Sequence, residues 1–165
     1  YTVKRGDALR LIAQKHQTTV GYLLQVNGRM GSQLQPGDQL IVCPLHFSVL
    51  INMKDKTISL RNVQDKLFKK YELVGSRLPQ GCPSSMDSTV KGLVVGDGSR
   101  FIEIGSSEYV NAPKEIRCER RGVPIRSLTG DEEKDKYATG VFVSNDDIEE
   151  LALLVRSGSA IHVRN

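Results

Sequence analysis

Thiols and imidazoles are the scarcest reactive groups of this chain. It has three cysteines, Cys43, Cys82 and Cys118, and three histidines, His16, His46 and His162. A thiol becomes a nucleophile when a neighbour takes its proton or stabilises its anion. No cysteine and histidine form an adjacent pair in any motif that would provide this. Cys118 lies in Glu115-Ile116-Arg117-Cys118-Glu119-Arg120-Arg121, where nearby cations are expected to lower a thiol pKa. The odd cysteine count allows at most one disulfide, and the spacings are not those of a metal site. Cys43, just before Pro44, reads as a small buried apolar residue. Cys82, in a Gly-Cys-Pro turn, reads as exposed. Ser84, Ser85 and Ser127 have no partnered histidine, so a serine hydrolase has little support. No ligand cluster and no phosphate-binding glycine loop occurs, and neither metal nor cofactor is expected.

Composition sets the outer bounds. The 165 residues suit one medium domain or two small ones. Apolar residues make up 39% and charged residues 25%, as in ordinary globular chains. The net charge of +4 favours an anionic partner. No basic tract interleaved with aromatics is present, which argues against nucleic acid. No apolar run reaches the roughly 20 residues that span a bilayer. The chain starts directly on a strand residue, so a signal or anchor is expected upstream.

The elements that must position any site begin with a small module, strand, helix, helix, strand. Tyr1-Thr2-Val3 alternates like a strand. Gly6-Asp7 turns the chain, and Asp7 is expected to cap a helix over Ala8 to His16. Ala8, Leu9, Ile12 and Ala13 form its apolar face, leaving His16 solvated. Thr18 and Thr19 offer a second cap, ahead of the stripe Val20, Leu23, Leu24, Val26. Leu34-Gln35-Pro36-Gly37-Asp38 is a turn, and Leu40-Ile41-Val42 closes the module. So small a unit must bury nearly all its apolar residues.

These 42 residues resemble a LysM domain from end to end. The matching pieces are Tyr-x-Val-x-x-Gly-Asp, Leu-x-x-Ile-Ala, the Thr before helix two, Leu-x-x-x-Asn and Leu-x-Pro-Gly-x-x-Leu. Ala8 departs from the family's usual Thr. The resemblance implies a ligand of the cell wall, the N-acetylglucosamine-containing glycan of peptidoglycan. It places the glycan groove between Gly6, Asp7, Ala8 and Leu9 on one side and Asn27, Gly28, Arg29 and Met30 on the other. Glycine at positions 6 and 28 lets backbone approach a ligand closely.

Beyond Pro44 the pattern turns to strands. Phe47, Val49 and Ile51 alternate; Thr57–Arg61 and Leu67–Val74 follow as a meander. Gly81 to Ser88 reads as a polar loop. Lys91–Val95 and Arg100–Ile104 read as two strands about the turn Gly96-Asp97-Gly98-Ser99. Glu115 to Asp135 reads as charged loops around short apolar pieces. Val141-Phe142-Val143 is a strand, Ser144 caps a helix over Asp146 to Val155, and Ala160–Val163 is a last strand.

This order resembles the L,D-transpeptidase catalytic domain, through HFSVLINMKDKTISLRNVQDKLFKKYELVGS and ATGVFVSNDDIEELALLVRSGSAIHVRN. The chain is therefore expected to be α+β: a small βααβ LysM module over residues 1–43, then a mostly-β L,D-transpeptidase-like domain with one main helix over residues 44–165. That family works through a Cys thiolate and a His base, in the motifs His-Gly-Thr and Ser-x-Gly-Cys-x-Arg. Here Gly140 is kept, but Val141 takes the Cys position, Val143 the Arg position and Arg126 the His position. Valine has no nucleophile, and arginine is never a base at neutral pH. The resemblance thus implies a pseudoenzyme in the cell envelope that binds peptidoglycan and scaffolds. Its altered cleft would bind stem peptides through Arg126, Arg120 and Arg121, or another envelope protein. The alternative is an active L,D-transpeptidase or other thiol enzyme whose site has moved to Cys82 or Cys118.

Overall fold

The computed structural model describes residues 1–28, 33–119 and 122–165. Two hydrophobic cores organise them. The smaller gathers Val3, Leu9, Ile12, Ala13, Leu23, Leu24 and Leu40. Two seven-residue helices supply most of it, α1 (Leu9–Lys15) and α2 (Val20–Val26). Positions 9, 12 and 13 fall on one face at helical spacing and are buried together. The Thr19 hydroxyl accepts from the Tyr22 N–H at 3.0 Å and caps α2.

Two expectations for this module change. The helix α1 is capped by no side chain; its N-cap residue is Ala8. Asp7 instead accepts from the Tyr1 hydroxyl at 2.6 Å and the Lys4 N–H at 2.8 Å. A phenol six residues back outcompetes the helix end for this carboxylate. The expected flanking strands reduce to a single antiparallel bridge, Thr2 with Gln39, supported by Val3 N–H to Asp38 C=O and Leu40 N–H to Tyr1 C=O.

The larger core lies between one sheet and one helix. The strands are β1 (Ser48–Asn52), β2 (Thr57–Arg61), β3 (Leu67–Glu72), β4 (Gly75–Arg77), β5 (Ser85–Val95), β6 (Lys114–Cys118), β7 (Ile125–Ser127), β8 (Gly140–Val143) and β9 (Ala160–Arg164). They run in the order β3-β2-β1-β9-β5-β6-β7-β8-β4. The pairs β1–β9 and β7–β8 are parallel and the rest antiparallel. Alternation in β1 puts Val49 and Ile51 in the core. Two short helices, α3 (Ser107–Asn111) and α4 (Glu132–Tyr137), lie outside the sheet sequence. The main helix, α5 (Asn145–Leu154), is capped by Ser144, whose hydroxyl accepts from the Asp147 N–H at 3.1 Å. It buries Ile148 and Leu151 in the larger core.

Strand β5 holds the sheet together. Its first half, Ser85–Thr89, pairs with β9, and its second half pairs with β6 after a register shift between Val90 and Gly92. The sequence had this first half as loop. Ser-Met-Asp-Ser-Thr has weak strand propensity, and cross-strand pairing overrides it. Conversely Arg100–Ile104 alternates yet forms no strand. Its side chains fold back onto the turn instead, Ile102 Cδ1 standing 3.0 Å from where a Cβ of Gly96 would be, and it makes no ladder with β5. The charged stretch after Glu115 holds β6 and β7 rather than loops alone.

The missing cap on α1 makes a prediction. Ala8→Thr should stabilise the chain by about 1 kcal/mol, the usual size of an N-cap hydroxyl. Chemical denaturation of the two forms measures it; an unchanged midpoint would show that the helix end is satisfied some other way.

Candidate functional site

The expected groove residues fall on two exposed turns. Gly6 has φ +88° and Gly28 φ +60°, and among the described residues no heavy atom lies within 4 Å of where a Cβ would stand on either. Both conformations favour glycine, and both turns leave their backbone open to a ligand. Ala8 is exposed beside Gly6. Leu9 is only 6% exposed and belongs to the smaller core. Arg29 and Met30 lie outside the described residues.

The polar side chains here are held by the module itself. Asp7 bonds Tyr1 and Lys4, and the Tyr1 hydrogen bond, then the Lys4 N–H, draw its carboxyl below the usual range. Asn27 is a clamp: its amide donates to Leu23 C=O and Ile41 C=O, each at 2.8 Å, and accepts from the Ile41 N–H at 2.7 Å. Its side chain fixes the turn at Gly28 to the strand-like end of the module. A glycan reaching this side would therefore meet backbone groups. His16 is half-buried rather than solvated, edge-on to the Tyr1 ring at 5.1 Å.

The second candidate lies where β7 and β8 run side by side. Their register pairs Ile125 with Val141, Arg126 with Phe142 and Ser127 with Val143. All four residues of β8 are buried, and Val141 is 0% exposed. The position that would need a thiol is a packed core residue. Gly140 has φ +138°, and a Cβ there would stand 2.5 Å from the Pro124 carbonyl oxygen. Glycine at this position thus has a structural reason of its own.

Arg126 was expected to be free for carboxylate ligands. Its guanidinium instead pairs with Glu115 at 3.0 Å, opposite it in the β6–β7 register. Glu115 also holds Arg117 at 3.0 Å. One carboxylate thus bridges two arginines. Arg120 and Arg121 lie outside the described residues. Ser127 is buried and accepts from the Lys114 N–H at 3.1 Å. Lys114 is buried as well, donating to Tyr109 C=O at 2.7 Å and Ala112 C=O at 3.1 Å and pairing with Glu149. Lys114 and Ser127 are thus satisfied, as buried polar groups require, whereas Arg126 Nε is buried without a hydrogen-bond partner among the described residues.

The thiols differ from expectation. Cys118 is not activated by its cationic neighbours: burial, with Glu115 adding to it, pushes its thiol up to about 11. It donates to Val123 C=O at 3.1 Å. Arg117, the described cation beside it, pairs with Glu115. Cys82 is half-buried against the larger core rather than exposed, and Cys43 is half-buried rather than buried. Among the described residues no hydrogen bond joins a cysteine to a histidine; the bond from His162 Nδ1 goes to Asp87 at 2.8 Å.

Known proteins bear on the two halves differently. Residues 1–42 match the family model of the LysM domain. No curated protein matches the chain. Among solved structures, an L,D-transpeptidase from Mycobacterium smegmatis is similar at 14% identity and a TM-score of 0.47, over 79% of this chain and 65% of that one. L,D-transpeptidase 1 of Mycobacterium tuberculosis is similar at 12% identity and 0.48, over 79% and 64%. A fused Zn-dependent amidase/peptidase/peptidoglycan-binding domain-containing protein from Clostridium acetobutylicum follows at 11% and 0.48, over 73% and 53%. The chain thus spans less than two thirds of the length of each. Likeness at this level speaks to neither activity nor ligand.

The raised Cys118 thiol predicts its reactivity. At pH 8 its thiolate fraction should be about a hundredfold below that of an ordinary thiol, and alkylation slower in proportion. The folded pKa exceeds the unfolded one, so this group's contribution to stability is whole below about pH 9 and fades as pH rises through about 11. Mass-spectrometric alkylation rates resolved by residue test this. Labelling of Cys118 as fast as free cysteine would contradict it.

Proposed function

We propose that the chain holds peptidoglycan through a module of residues 1–43. Residues 44–165 are an L,D-transpeptidase-like domain without the family's thiol chemistry, acting as a binding or scaffolding part. The observation that carries the first half is the LysM match over residues 1–42. The two open turns at Gly6 and Gly28 support it, since acetamido sugars bind through backbone N–H and C=O groups on such turns. In this reading Gly6, Asp7, Ala8, Leu9, Asn27, Gly28, Arg29 and Met30 frame the groove. Leu9 and Asn27 frame it by fixing its shape.

For the second half, support comes from the strand register. At the expected nucleophile position Val141 fills the core, and at the expected base position Arg126 is paired with Glu115. A thiol enzyme with a relocated site needs a thiolate within reach of a base. The half-buried thiol of Cys118, raised to about 11 by burial and donating to Val123 C=O, offers neither. A wall ligand implies a place in the cell envelope. Stem peptides or another envelope protein are the partners this reading leaves for the second half.

Amide NMR with added N-acetylglucosamine oligomers tests the groove. The Gly6, Ala8 and Gly28 signals should shift with a common saturation curve. Shifts confined to residues 44–165, or none, would overturn the assignment. In parallel, muropeptides incubated with the chain should be recovered without new cross-links.

A further inference from the structure

A cleft of about 740 Å³ opens between the two cores. Its walls are the α1–α2 corner, β5 from Lys91 to Val95, the loop carrying Phe101, and the C-terminal end of α5. Direct bonds hold these walls in place. Thr19 Oγ1 donates to Leu153 C=O at 2.6 Å, and the Leu45 N–H donates to Gln17 C=O at 2.8 Å. Arg156 Nε donates to Leu45 C=O at 2.9 Å.

The charge of the cleft has one sign. Arg10, Lys91, Arg100 and Arg156 line it, and no carboxylate does. Arg100 is already paired with Glu108. The hydrogen bonds of Arg156 all go to neutral acceptors: Leu45 C=O, Ser157 C=O and the Gln17 amide oxygen. Its charge at the seam is therefore uncompensated. Arg10 and Lys91 are exposed and have no acidic partner among the described residues. Apolar walls concentrate such a field and draw anions into the cleft.

The cleft also contains a free strand edge. Pairing between β5 and β9 ends at Thr89 with Ala160, whereas pairing between β5 and β6 runs on to Val95. From Lys91 to Val95, β5 thus has a strand on one side and none on the other. Among the described residues no heavy atom lies within 4 Å of where a Cβ of Gly92 would stand, so the face of β5 is open there to the side chains of an added strand. Phe101, 84% exposed, stands on the loop that lines the same cleft. An unpaired edge is a template for another strand.

We propose that this cleft binds an extended acidic segment of a partner protein as an added strand on β5. Main-chain bonds to the free edge would hold it, and its carboxylates would meet Lys91, Arg10 and Arg156. Apolar residues alternating with the acidic ones would face Phe101 and the cleft wall. This binding stands apart from the glycan groove, so it holds or fails independently of wall binding.

The test titrates a fluorescein-labelled octapeptide of alternating Val and Glu into the intact chain, read by anisotropy. Saturable, salt-sensitive binding is expected, and the Val-Lys counterpart should not bind. Methylating alternate peptide amides should weaken binding by about tenfold or more, because the edge bonds are lost. Lys91→Glu should weaken it about tenfold with the thermal midpoint unchanged. Absence of saturable binding overturns the proposal. So does equal binding of the acidic and basic peptides, or indifference to amide methylation.

Discussion

Burial of every residue of Gly140–Val143 is the constraint on which the larger core depends. This strand lies between β7 and β4, with the apolar face of α5 closing the core that it shares. A site so enclosed accepts only side chains without unmet polar groups. Val141 and Val143 meet that condition. Gly140 allows β8 to approach Pro124. The polar groups nearby are arranged around this apolar strand. Glu115 joins Arg117 and Arg126 on β6 and β7, and Lys114 ties β6 to α3 and α5. Charge in this region is used up in holding strands and helices together.

A second seam gives the molecule its shape. Thr19 both caps α2 and donates to the end of α5. Gly21 is buried beside Leu153, where a Cβ would stand 2.7 Å from a methyl carbon of that leucine. Any side chain at this position would have to push the Leu153 methyl aside. With Leu45 and Arg156 bonded across the same boundary, the small module is fastened to α5 and the segment leading into β1. The open turns at Gly6 and Gly28 belong to the small module, and the cleft between the two cores begins further along α1. The seam thus leaves the two proposed surfaces apart.

Much of this was legible in the sequence where local pattern and global packing agree. The stripe Ala8, Leu9, Ile12, Ala13 and the caps Thr19 and Ser144 are local signals, and they appear in the structure except that Ala8 is the exposed N-cap residue and not part of the buried face. So does the alternation of β1 and β2. What failed depended on distant partners. Ser85–Thr89 is a strand only because β9 lies beside it, and Arg100–Ile104, which alternates as well, makes no ladder. Asp7 was drawn from its helix by Tyr1, a competition that a capping rule does not contain. The sequence around Cys118 suggested an activated thiol, but burial and the Glu115–Arg117 pair reverse the sign. Charge near a residue in sequence is a poor guide once the chain pairs those charges with each other.

The central claim is glycan binding by the first module as the main hold on the wall. Co-sedimentation with purified peptidoglycan sacculi tests it most directly, comparing the intact chain with residues 44–165 alone. The intact chain should pellet with the sacculi in clear excess over residues 44–165, whose contacts are at most with the stem peptides. Equal pelleting of both, or of neither, would contradict the claim.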